Sequence, residues 1–101
     1  MAKVETYHRV KLQDPSTASD YQDTLSAKDG YIGSYVVDVQ GIQDPDNPTF
    51  VFHVIAGFRR QVAGEEQMEA DQVVADLVAE LEDDALVAEV RTLSNPTLLP
   101  D

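Results

Sequence analysis

The sequence predicts an α+β fold in which two helices cover one face of a four-stranded antiparallel sheet. Three observations carry that expectation. Apolar and polar residues alternate in four separate stretches, the apolar period lengthens to 3.6 residues after the first and third of them, and turn-forming residues separate the stretches. The resulting order, β-α-β-β-α-β, is that of the split βαβ or ferredoxin-like arrangement. Right-handed crossovers then place the first and third strands in the centre of the sheet and the second and fourth at its edges.

The first strand runs from Val4 to Leu12, with Val4, Thr6, His8, Val10 and Leu12 on one side and Glu5, Tyr7, Arg9 and Lys11 on the other. Asp14-Pro15-Ser16-Thr17 supplies turn and capping chemistry. Ala18, Tyr21 and Leu25 follow at helical spacing until Asp29-Gly30, which predicts a short helix over about 16–28. Tyr31 to Gly41 is rich in tyrosine and valine and reads as the second strand, with Tyr31, Tyr35, Val37 and Val39 outweighing Ile32 and Val36 on the other side. Two prolines in Gln43 to Pro48 make a polar turn, so Phe50 to Phe58 is the return strand of a hairpin.

From Glu66 onward Ala70, Val73, Val74, Leu77, Val78 and Leu81 form one apolar stripe, which predicts the long helix. Glu65, Glu66 and Glu69 favour its start through the helix dipole. Glu82, Asp83 and Asp84 oppose its end, at a few tenths to about 1 kcal/mol each, so something other than local electrostatics places them there. Leu86 to Leu93 alternates again, with Val87, Glu89, Arg91 and Leu93 on one side. The organisation expected is one domain over residues 1–94 and an extended arm over 95–101.

Nineteen acidic side chains against seven basic ones give a net charge of -12. Residues 1–64 hold eight acids and six bases, whereas 65–101 hold eleven acids and Arg91 alone. A field of that sign repels phosphate backbones, and the doublet Arg59-Arg60 is too small to reverse it, so direct nucleic-acid binding is not expected. The excess fits solubility, including adaptation to a salt-rich cell. It also fits an acidic face, carried by Glu66, Glu69, Asp76, Glu80 and Asp83, that docks on a basic protein or imitates DNA. No apolar stretch approaches the ~20 residues of a bilayer span, so the expectation is a soluble chain without membrane contact, cytoplasmic or part of a virion.

Catalysis has no signature in these residues. There is no cysteine, no Gly-rich phosphate loop and no nucleophile elbow, and His8 and His53 fall on opposite faces of the predicted sheet, so no metal or cofactor is expected. Dimeric α+β barrels use the cleft between sheet and helices for small cofactor-free reactions, and by that analogy His8 and Tyr35, with Tyr31, are the weak catalytic candidates. The alternation also leaves apolar residues on the face turned away from the helices. Tyr7, Arg9, Ile32, Val36, Val51, His53, Ile55, Val87 and Leu93 are placed there as an interface. The leading functional expectation is therefore a non-catalytic module that self-associates, or a small accessory subunit of a larger cellular or viral assembly.

Overall fold

The computed structural model describes residues 2–40, 50–64, 66–93 and 96–99. The turn expected over 43–48 lies outside them, and so do the side chains of Phe50, Val51 and Phe52. Strand β1 (Lys3–Leu12) leads through a single 3-10 turn (Pro15–Thr17) into α1 (Ala18–Ser26), followed by β2 (Tyr31–Gln40), β3 (Phe50–Gln61), α2 (Gln67–Glu82), β4 (Val87–Thr92) and a short β5 (Thr97–Leu99). The strands form one antiparallel sheet in the order β2-β3-β1-β4, with β5 pairing the other end of the β1 edge that β4 covers. Part of the expected arm is thus joined to the sheet: Val4 faces Leu98 and Lys3 faces Leu99.

Local chemistry explains the element ends. The Asp14 carboxylate accepts the Ser16 N–H at 3.0 Å and its hydroxyl at 2.9 Å, which turns the chain toward α1 and holds Asp14 below the usual carboxylate range. After α1, Gly30 takes φ +79°, and a Cβ there would stand 2.3 Å from the Arg59 carbonyl oxygen. Only glycine fits that close approach, in which Gly30 also accepts the Arg59 N–H at 2.8 Å. At the start of α2 the Glu69 carboxylate reaches back to the Glu66 N–H at 3.3 Å. At its end the Asp84 carboxylate accepts the Leu86 N–H at 2.9 Å and turns the chain into β4. That bond accounts for one of the three acids the dipole disfavours; nothing in the structure explains Glu82 or Asp83.

Alternation along β1 and β3 buries Val4, Val10, Leu12, Val54, Ala56 and Phe58 under the helices. Tyr21 and Leu25 of α1, and Leu77 and Leu81 of α2, complete the main core at one end of the sheet. Val74 and Ala70, one and two turns before Leu77 in α2, close on Val4 and Val62 at the other end. Each fully buried aliphatic or aromatic side chain contributes roughly 1.5–3 kcal/mol of transfer free energy, so this single layer is the main source of stability. No helix among the described residues is long and apolar enough to cross a membrane.

Two strands carry an extra residue, and these bulges correct the sequence reading. In β2, Tyr31 faces Phe58 and Gly33 faces Gly57, which leaves Ile32 unpaired between them. The phase inverts from there: Tyr35, facing Ile55, turns away from the helices, and Val36, facing the buried Val54, turns toward them. In β4 the extra residue is Ala88, because Lys11 faces Glu89 and Leu12 faces Val87. Val87 is therefore buried in the core and is not on the outer face.

Candidate functional site

His8 lies fully buried in the middle of β1, with Nε2 2.7 Å from Thr6 Oγ1 and Nδ1 3.2 Å from Thr92 Oγ1. One ring nitrogen donates and the other accepts, so the neutral imidazole is satisfied on both sides. Burial, reinforced by the charge of Arg60, lowers its pKa to about 4. Tyr35, its proposed catalytic partner, is on the opposite face, so the two cannot share a pocket. Tyr31 does turn inward, edge-on to the Phe58 ring, with its hydroxyl 2.8 Å from Ser34 Oγ. His8 and Tyr31 are thus packed core residues whose own polar ends are hydrogen-bonded.

The opposite face has a different character. Strand pairing arranges its outward residues in rows: Leu93, Tyr7, Gly57 and Gly33 in one, then Arg91, Arg9, Ile55 and Tyr35, then Glu89, Lys11, His53 and Val37. Leu93 joins the first row through its N–H, which donates to the Tyr7 carbonyl at 2.8 Å. The Tyr7 ring lies over Gly57, where a Cβ would come within 2.8 Å of the ring. Above Gly33 a Cβ would meet nothing within 4 Å. Gly33 thus lowers the sheet surface, beside the Tyr7 ring that covers Gly57, into an apolar groove of about 230 Å³ walled by Tyr7, Ile32, Tyr35 and Ile55. Ile32 is 47% exposed, Tyr35 60% and Leu93 50%, which leaves a contiguous apolar surface open to water.

Around the groove the charge is positive. Lys3, Arg9, Lys11, Arg59 and Arg91 point outward from this face, five of the seven basic residues in the chain, against Glu5 and Glu89. Arg59 binds Glu5 at 2.7 Å and Arg91 binds Glu89 at 2.6 Å. Arg9 and Lys11 have no ion-pair partner among the described residues. His53 sits beside them, and burial together with Arg9 and Lys11 holds it below the usual imidazole range. The doublet Arg59-Arg60 is split by alternation. Arg60 turns to the helix side, lies 5.7 Å from the Phe58 ring centroid, and binds Glu80 at 3.1 Å, with Lys28 on the same carboxylate at 3.5 Å.

Comparison with family models, curated proteins and solved structures finds no match.

Of the sequence-derived interface residues, Tyr7, Arg9, Ile32, His53, Ile55 and Leu93 lie together on the outer face, Val36 and Val87 do not, and the Val51 side chain is outside the described residues. Of the acidic residues, Asp76 and Asp83 are exposed on α2, whereas Glu66 and Glu69 are engaged at its start and Glu80 is tied to Arg60 and Lys28. The sequence reading missed the glycine floor and the gathering of bases. Both become legible only once the register sets Gly33 against Gly57 and Arg9 against Arg91.

Proposed function

We propose that the chain is a non-catalytic interaction module of the split βαβ, ferredoxin-like kind, and that it docks through its outer sheet face as a self-associating or accessory subunit of a larger assembly. The element order and the central position of β1 and β3 support the fold assignment. One observation carries the functional reading: an apolar groove with a glycine floor and exposed Ile32 and Tyr35 on a face that no helix among the described residues covers. A protein surface suits it better than nucleic acid, because the chain as a whole carries a charge of -12. His8 is buried and hydrogen-bonded on both sides and Tyr35 is on the opposite face, so the two residues named for the barrel-type enzyme do not share a pocket.

The test is solution mass by light scattering at tens of micromolar, for the native chain and for the double variant Ile32→Asp/Tyr35→Asp. Both positions are exposed, so the variant keeps its circular dichroism and loses association. A variant that associates as the native chain does would overturn the reading.

A further inference from the structure

We infer that the occupant of the outer sheet face is the outward side of α2 from a second copy of this chain, packed head to tail. This rests on the docking role proposed for that face and names its partner.

Arg9 and Arg91 stand directly opposite each other across β1 and β4, with Lys11 in the next row. Like charges directly opposite on a sheet are destabilising. Glu89 offsets Arg91 at 2.6 Å, which leaves Arg9 and Lys11 as excess positive charge beside the groove. The face therefore fits an anionic surface. Packing two such faces together around a two-fold axis would set bases against bases.

The chain itself carries the complementary surface. At 100° per residue, Met68, Gln72, Ala75 and Ala79 fall on the side of α2 directed away from its buried Ala70, Val74, Leu77 and Leu81, and all four are exposed. Asp71 and Glu82 flank this stripe on one side, and Asp76 and Asp83 flank it on the other. Its centre is small and weakly polar, its borders are acidic, and its one large side chain, Met68, is 71% exposed. The sheet presents the inverse: an apolar groove bordered by bases. The open space above Gly33 lets a helix approach closely, and a flexible thioether between Tyr7 and Tyr35 makes favourable sulfur–aromatic contacts.

The net charge does not prevent this contact. At about 0.15 M salt the screening length is about 8 Å, whereas helix and sheet layers lie about 10 Å apart. Each copy's own acidic layer is thus largely screened from the contact zone, where opposite charges meet within a few ångströms. Because the two surfaces differ, every added copy leaves one sheet face and one α2 face unused, and assembly proceeds to a ring or an open filament.

The experiment uses complementary defects. One variant, Arg9→Glu/Lys11→Glu, loses the sheet surface and keeps α2; the other, Met68→Lys/Asp76→Lys, loses α2 and keeps the sheet. A second sheet variant, Gly33→Val, fills the groove at a position with open space above it, so folding is preserved. Each variant alone, at about 0.15 M salt, associates about tenfold or more weakly than the native chain. An equimolar mixture of a sheet variant with the α2 variant forms a dimer and nothing larger. If the α2 variant self-associates as the native chain does while both sheet variants do not, the face docks but its occupant is another surface, and the inference is overturned alone. If the sheet variants also associate normally, or the native chain is monomeric at every concentration tested, the inference falls, and in the former case the docking role of the face falls with it.

Discussion

At the scale of single residues, His8 makes stability depend on pH. Its pKa is 6.5 in the unfolded chain and about 4 in the folded one, so over that interval the unfolded state binds the proton that the folded state excludes. The contribution is fully present above pH 6.5 and is lost as pH falls toward 4, on the order of 3 kcal/mol in all. Titration of the many carboxylates overlaps this window, so the quantity to measure is the difference between the native chain and His8→Gln by urea unfolding at several pH values. The difference should narrow steadily from pH 7 to 4; a constant difference would show that protonation at His8 is not what the fold excludes. That His8 faces the core was legible from alternation alone. Its two threonine partners were not, because Thr92 reaches it only through the β1–β4 register.

At the scale of elements, the sequence specified strand and helix types well and the faces of two strands poorly. The 3.6-residue stripe from Ala70 to Leu81 runs unbroken, and the alternation in β1 is uninterrupted, so both could be read directly. Tyr35, Val36 and Val87 were misplaced for one physical reason. A single extra residue, Ile32 in β2 and Ala88 in β4, inverts the facing of what lies on either side, and composition gives no sign of it. The acidic end of α2 separates into two kinds of residue. Asp84 bonds the Leu86 N–H, so Asp84→Ala should destabilise by about 1 kcal/mol. Glu82→Gln/Asp83→Asn should stabilise the unassociated chain by a few tenths of a kcal/mol, since within one copy those charges oppose the dipole. Thermal melts of the two variants should therefore move in opposite directions, and a shared direction would refute the division.

At the scale of the molecule, charge is segregated across the layers, bases on the outer sheet face and acids on the helices. Nine carboxylates lie between residues 65 and 84 with no base among them, and Glu80 alone of the nine has a salt bridge among the described residues. Their mutual repulsion costs on the order of 1–3 kcal/mol at low ionic strength. Raising sodium chloride from about 0.05 to about 1 M shortens the screening length from more than 10 Å to about 3 Å, so the melting temperature should rise. The melts belong at low micromolar concentration, where association does not add its own stabilisation. A flat or falling melting temperature would mean that the acids are already neutralised. The pairing of β1 has a further consequence, in time. Its partners are residues 53–61 on one edge and 87–92 and 97–99 on the other, so Val4 meets Arg60 only once β3 has been made and Leu98 later still. The sheet therefore closes in stages, β2 with β3, then β3 with β1, and last β1 with β4 and β5. The emerging chain carries β1 unpaired until β3 has been made, and its second edge is closed last, by a clasp between distant parts of the sequence, at the slower rates that long-range strand pairing imposes.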